Sequence, residues 1–239
     1  MPVFQPAHRP ASEPRRARGA ASQGARAAPS TTRSPPSSSS ACACGGSCPR
    51  CAAGTHERGE RKDGVVHGPA GSSNTFTDCP ANWRPAANAA RTLGASWLTN
   101  VVTGLNMLPS PIPAPVATLL TRHFHTTYSK DIAKILARYR QLDGAIRQAI
   151  DFQCETSCDK DVLAYVYSVW SDLHVCPYWF ASAPDLRAST VIHELAHDVI
   201  GADDNAYEWE TAKYAGMSVG DAMDNADSYA HFAWDASRP

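Results

Sequence analysis

The chain reads His193-Glu194-Leu195-Ala196-His197-Asp198-Val199-Ile200-Gly201-Ala202-Asp203-Asp204-Asn205-Ala206-Tyr207. On a helix, two histidines four residues apart project from one face, close enough to hold a single metal ion. The glutamate between them sits beside that ion, where it can take a proton from an attacking water. The aspartates after Gly201 offer a third ligand and leave a fourth tetrahedral position open, as catalytic zinc requires. The expectation is a zinc peptidase site built from His193, His197 and one of two adjacent acids, with Glu194 as general base.

The competing explanation of such a pattern is a core helix with a half-buried histidine and a surface ion pair. The surroundings argue against it. Ser182-Ala183-Pro184-Asp185 supplies a helix start: a serine cap, a proline in the first turn and an acid three residues on. Leu186, Val191, Ile192, Leu195 and Val199 then make the helix mostly apolar, as suits an element at the centre of a domain. Gly201 stands where a C-terminal cap wants positive φ, so the chain can turn back and return an aspartate to the imidazoles.

The residues after Gly201 carry a family resemblance. HExxH followed by Gly-Thr-x-Asp-x-x-Tyr-Gly marks the aspzincins, the deuterolysin-type and peptidyl-lysine metalloendopeptidases. Glycine, aspartate and tyrosine match here, while Ala202 and Glu208 replace the family's threonine and second glycine. Asn225-Ala226-Asp227-Ser228-Tyr229-Ala230-His231-Phe232 resembles the family's Asn-Ala-Asp-x-x-x-x-Phe element, and Cys158…Cys176-Pro177 is a third likeness.

The resemblance covers about residues 75 to 235. It implies His193, His197 and Asp204 as zinc ligands, with Asp203 the rival for the third place. It implies that Glu194 acts first as base, then as the acid that protonates the leaving amine, and that the Tyr207 hydroxyl supports the developing oxyanion. Core packing is the alternative for Tyr207. Asp227 holds the place of an acid that binds the residue after the cut bond. In lysine-specific members a second acid follows one turn later, and here that place is Ala230. Strict lysine specificity is therefore not expected, although one carboxylate can still favour lysine. Asp227 could equally hold a ligand histidine in place.

The 239 residues divide into two unlike parts. Residues 1–74 hold ten Lys/Arg against four Asp/Glu and are crowded with Ala, Pro, Ser, Arg and Gly; residues 75–239 hold twelve against nineteen. The first part has too few large apolar residues to offset the entropy of ordering and reads as a disordered tail. No aromatic residues interleave its charges, so no nucleic-acid platform is expected. The second part is long enough for one domain with a core. No apolar run reaches membrane-spanning length, and Met1 to Ala20, with no apolar central stretch, does not read as a secretory signal.

Cys42, Cys44, Cys48 and Cys51 sit in the tail, where a small metal knuckle and a redox-labile flexible segment are equally consistent with the spacing. The string Cys-Ala-Cys-Gly-Gly-Ser-Cys-Pro-Arg-Cys resembles a leader of bacterial proteins associated with extracellular injection systems. Cys79, Cys154, Cys158 and Cys176 belong to the second part, and their number allows three pairings. Resemblance to the family implies Cys79–Cys154 and Cys158–Cys176. Disulfides imply an oxidising destination, so delivery from a bacterium by a dedicated apparatus is the expected export route.

Periodicity predicts helices over 82–107 and from Ser129, as a cap, to Ile150, with Pro109, Pro111, Pro113 and Pro115 forming an extended connector. Leu163 to Trp170 and Leu173 to Cys176 read as strands. The resemblance implies that an edge strand before the histidine helix lines up the substrate by main-chain pairing. Two helices are expected after the zinc motif, from about Ala206 and Val219. His123, His125 and His174 have no partner at metal-ligand spacing, His231 can reach Asp227 within its helix, and Trp97, Trp170, Trp179, Trp209 and Trp234 are read as packing residues. The fold class is α+β, zincin-like, mostly helical with a small sheet. The expected function is zinc-dependent hydrolysis of peptide bonds in protein or peptide substrates by a secreted toxin or effector. The alternatives are a non-catalytic cargo or binding module and a zinc hydrolase of non-protein amides.

Overall fold

The computed structural model describes residues 73–159, 162–167 and 170–238. The tail read as disordered, with its four cysteines, lies outside the described residues apart from Ser73 and Asn74. Asn74 is part of the fold. It is buried, its side-chain amide donates to Asn88, and its oxygen accepts from the Ile150 amide at 3.0 Å.

The described residues form eight helices and four strands. Strand β1 (Thr75–Thr77) leads to α1 (Arg84–Asn106), α2 (Ala114–Phe124) and α3 (Ser129–Ile146). Strands β2 (Asp151–Cys154), β3 (Ala164–Tyr167) and β4 (Trp170–Val175) follow, then α4 (Pro177–Ala181) and the histidine-bearing α5 (Pro184–Ile200). The chain ends in α6 (Thr211–Ala215), α7 (Val219–Met223) and α8 (Ala226–Ala236). The class is α+β, mostly helical beside a small sheet.

Helix α5 is apolar almost all round because it is packed on several sides. Helices α1, α3 and α8 pack against it, and β3 and β4 lie along it. Gly94 lets α1 approach closely: a Cβ there would stand 3.0 Å from Ile146 Cδ1 and 3.5 Å from Ile192 Cγ1. Behind this crossing, Phe124, Tyr139, Tyr229 and Phe232 form an aromatic core with centroids 5.0 to 6.4 Å apart. The Tyr139 and Tyr229 hydroxyls are not left unsatisfied, since they donate to the Tyr229 and Met223 carbonyls at 2.8 Å.

The sheet order is β1-β2-β4-β3, with β1, β2 and β4 parallel and β3 antiparallel to β4. Strand β3 is therefore an edge. Ala164, Leu173, Val175, Phe152 and Cys154 point into the core. Tyr165 and His174 pair across the opposite face, stacked 4.7 Å apart. Disulfides join Cys79 to Cys154 and Cys158 to Cys176, the pairing the resemblance implies.

Several expected boundaries move. Ser182 does not cap α5; Ala183 holds that place and the Ser182 hydroxyl donates to the Trp179 carbonyl. Tyr128, not Ser129, precedes α3, while Thr126 accepts from the Tyr128 amide. Helix α3 ends at Ile146, so Ile150 belongs to the approach to β2. The proline-rich stretch does not exclude a helix: Pro113 caps α2 and Pro115 falls in its first turn, where no amide is needed. The segment read as one strand to Trp170 is two, for Trp170 already begins β4. Three helices, not two, follow the histidine motif.

Candidate metal centre

Helix α5 presents His193, Glu194 and His197 near its C-terminal end, and Gly201 closes it with φ of 63°. The reversal begins where the Ala202 amide donates to the Ala196 carbonyl at 3.0 Å. The loop that follows has little regular structure and is held from α8's start. The Asp203 amide donates to the Asp224 carbonyl at 2.8 Å, and the Ala226 amide donates to the Asp203 carbonyl at 2.9 Å. Fully buried Asn225 completes the hold. Its Oδ1 accepts from the Asn205 and Ala206 amides, and its Nδ2 donates to the Ala206 carbonyl and to Ser228 Oγ.

This scaffold brings Asp204 back under the helix. Its Oδ1 lies 3.2 Å from His193 Nε2 and 3.4 Å from His197 Nε2, and the two imidazole nitrogens lie 3.1 Å apart. Asp203 contributes its main chain to the bridge with Asn225, and the group within metal-ligand reach is His193, His197 and Asp204.

The donor set fits a cation on its own chemistry. His197 Nδ1 donates to the Ala202 carbonyl at 2.7 Å, which leaves the Nε2 lone pair facing the cluster. Asp204 Oδ1 is buried and makes no hydrogen bond. Three electron-pair donors therefore crowd one buried point, a costly arrangement unless a positive charge sits among them. Two imidazoles and one carboxylate are the ligand types of a catalytic zinc site.

Electrostatics agree in sign. Burial disfavours the imidazolium of His193, but Asp204 and Asp227 outweigh it and raise the group well above the ordinary histidine range. His197 is raised for the same balance of reasons, burial opposed by Asp204. Burial would raise Asp204, yet the two imidazoles hold its carboxyl well below the usual carboxylate range. The cluster attracts positive charge, whether protons or a metal.

Glu194 is buried beside the cluster. Burial raises its pKa, and the imidazoles and a hydrogen bond from the Val166 backbone in edge strand β3 offset that only in part. Its Oε2 has no hydrogen-bond partner. The Tyr207 ring lies nearly parallel to His193, with centroids 6.0 Å apart.

Asp227 is only 4% exposed. Its Oδ1 lies 3.4 Å from His193 Nδ1 and 3.6 Å from His231 Nε2, and its Oδ2 accepts from the Glu208 amide at 2.6 Å. Both oxygens are committed inside the protein, so the expectation of a substrate-binding carboxylate meets one already in use. Ala230, one turn on, is fully buried.

Two residues near the site were named in the sequence without their roles. Asn225 stands in the Asn-Ala-Asp motif among other polar residues, and nothing along the chain marks it as the side chain that ties the loop after Gly201 to the start of α8. Trp209, read as a packing residue, is 69% exposed and stacks on Tyr207. Nothing in the sequence distinguished it from Trp97 and Trp179, which are buried.

A family model described as lysine-specific metallo-endopeptidase, the aspzincins, matches residues 114–234. A peptidyl-Lys metalloendopeptidase of Pleurotus ostreatus is 28% identical over 166 residues, which is 66% of this chain and 95% of that protein. A neutral protease 2 homolog of Phaeosphaeria nodorum is 30% identical over 138 residues, 50% of this chain but only 38% of that protein. Among solved structures, a zinc peptidase from Grifola frondosa superposes with a TM-score of 0.56 at 24% identity, covering 65% of this chain and 96% of that one, a likeness of fold. Among the described residues no helix is long and apolar enough to cross a membrane. The family match runs from α2 to α8 and takes in half the chain, and it makes this protein a member of the aspzincin family of zinc metallo-endopeptidases.

Proposed function

We propose that residues 75–239 are the catalytic domain of an endopeptidase that cuts protein substrates with one zinc ion held by His193, His197 and Asp204. The observation that carries this reading is the meeting of those three donors at one buried point beside Glu194. When bound there, zinc supplies Lewis acidity, polarising the scissile carbonyl and making water nucleophilic near neutral pH. Glu194 takes the proton from the attacking water and returns it to the leaving amine. A carboxyl raised by burial suits both halves of that exchange. Tyr207 donates its hydroxyl to the oxygen on which charge develops. Asp227 keeps His193 in its ligating orientation. Edge strand β3, tied to Glu194 through Val166, pairs with the extended substrate.

A preference for lysine after the cut bond is supported by the name of the peptidyl-Lys relative. The commitment of both Asp227 oxygens and the apolar Ala230 argue that the preference is partial. Two disulfides support an oxidising, extracellular place of action. The Cys42–Cys51 leader supports a bacterial effector exported through an injection-type apparatus, with the tail as its contact. The test is a casein digest by the full chain with and without chelator. Glu194→Gln should lower cleavage by about 10²- to 10⁴-fold with zinc content unchanged. Loss of zinc together with activity would show that the glutamate is misassigned, and mapping the cut sites reads the lysine preference.

A further inference from the structure

Two histidines at the end of α2 stand outside the metal cluster, and both grip one residue. His123, fully buried, meets the Tyr214 hydroxyl through Nδ1 at 2.9 Å and Asp235 Oδ2 through Nε2 at 3.1 Å. His125 caps α2 in the left-handed region, with φ of 56°, a place that favours glycine. Its Nε2 donates to the Tyr214 carbonyl at 3.1 Å. Beside them Arg122 pairs with Glu208 and, at 3.2 Å, with Asp235.

The hydrogen bonds from His123 run on to the loop that carries Asp204. The Asp235 carboxylate can only accept, so His123 Nε2 bears the proton. Burial pushes this imidazole below its ordinary range, and the neutral ring accepts at Nδ1. Tyr214 therefore donates to His123, which leaves its oxygen to accept from Ser228. Ser228 Oγ accepts in turn from Asn225 Nδ2 at 3.0 Å. Asn225 Oδ1 holds the amides of Asn205 and Ala206, the two residues after Asp204, at 2.9 and 3.2 Å. From this end the direction is the same, because an Asn225 with both amides on its oxygen has only its NH2 group to offer Ser228. His123, Tyr214, Ser228 and Asn225 are all buried, so cutting any link leaves a polar atom unsatisfied. Ahead of Asp204 the loop is held by the main-chain bonds of Asp203; after it, by this run of side chains.

We infer that His123 is a positioning residue for Asp204: through Tyr214, Ser228 and Asn225 it fixes the loop that brings this carboxylate to His193 and His197. The inference rests on the reading of Asp204 as a zinc ligand. Metal affinity depends on the bonds that orient the ligands as well as on the ligands themselves.

The test is the zinc affinity of the full chain, read by competition with a chelator well below the unfolding temperature. Tyr214→Phe, which removes one oxygen and keeps the ring, should weaken zinc about three- to tenfold, the worth of one buried hydrogen bond. Ser228→Ala should do the same, and the double variant should lose little more than either alone, since both cut one chain of bonds. His123→Asn keeps an acceptor near the place of Nδ1 and should retain more affinity than His123→Leu. The visible bands of the cobalt-loaded chain, which report ligand geometry, should shift in Tyr214→Phe. Unchanged affinity and bands in Tyr214→Phe, with only the melting of the zinc-free chain lowered, would make these bonds merely structural and overturn the inference. So would losses from Tyr214→Phe and Ser228→Ala that add in full, or equal losses in His123→Asn and His123→Leu. Asp204→Asn in the same assay separates the two readings. If it leaves zinc affinity intact, the ligand is misassigned; if it weakens zinc and Tyr214→Phe does not, only the positioning role falls.

Discussion

Removing the Cys79–Cys154 bridge should destabilise the domain more than removing Cys158–Cys176. The perturbation is a pair of double variants, Cys79→Ala with Cys154→Ala and Cys158→Ala with Cys176→Ala. The first bridge spans 75 residues and the second 18. In the chain-entropy treatment a crosslink stabilises by restricting the unfolded chain, giving about 4.5 kcal/mol for the longer loop and about 3 kcal/mol for the shorter. Loop length alone thus predicts a difference of about 1.3 kcal/mol. Burial adds to it in the same direction for Cys79 and Cys154, which are 7% and 3% exposed, although Cys176 is buried too. The bridge also pins a weak element: β1 has three residues, and beyond its register with β2 it is held by the Phe76–Phe152 stack. Urea unfolding of both variants at equal free zinc, compared with the parent, measures the costs, provided the slopes agree. If the short-loop variant lost as much stability as the long-loop one, the entropy argument would fail for this fold. Cleavage rate per folded molecule should survive loss of the first bridge, because β1 lies at the edge of the sheet opposite β3 and pairs with β2.

Asp204→Asn should weaken zinc binding at least about tenfold, read by competition with a chelator, while Asp203→Asn leaves it nearly unchanged. The reverse order would exchange the two acids. Zinc affinity should begin to fall with acid already above about pH 6.5, since His193 and His197 have raised pKa values and protons compete for the same nitrogens. In the zinc-free chain the sign inverts. Those histidines stabilise the fold fully below the unfolded pKa and lose that contribution as pH rises through their folded values. Melts in chelator that gain stability over that window would contradict the assignment. Gly94→Leu should cost about 1–3 kcal/mol, because its side chain must enter the α1–α5 crossing, whereas Gly94→Ala should be close to neutral. A Gly94→Leu chain as stable as the parent would show that the packing of α1 on α3 and α5 is looser than the 3.0 Å approach to Ile146 and the 3.5 Å approach to Ile192 imply.

How much of this could be read in advance depended on whether the controlling interaction was local. Helix α5 announced itself through apolar spacing and a glycine that needed positive φ, and both are properties of neighbouring residues. Helices α1 and α3 were visible for the same reason. Strands β1 and β2 were not. They have three and four residues, and Thr75 finds its partner only at Asp151, so no short window holds the signal. Helix α2 was hidden by prolines that begin a helix rather than break it. Serine caps were expected at 182 and 129 on residue type, but cap position is decided by backbone geometry, and each lies one residue away. At the site, the helical repeat was enough to pair His193 with His197. Choosing between Asp203 and Asp204 required either the family's spacing or the tertiary bridge to Asn225. The commitment of Asp227 to His193, His231 and the Glu208 amide is a product of packing, and no pattern along the chain foretells it.

The account stands most directly on the zinc content of the purified, folded full chain after dialysis against buffered zinc. It predicts about one ion per chain in the parent and nearly none in His193→Ala. A chain that digests casein yet carries no zinc, or a folded one that stays empty with zinc in ample supply, would contradict it.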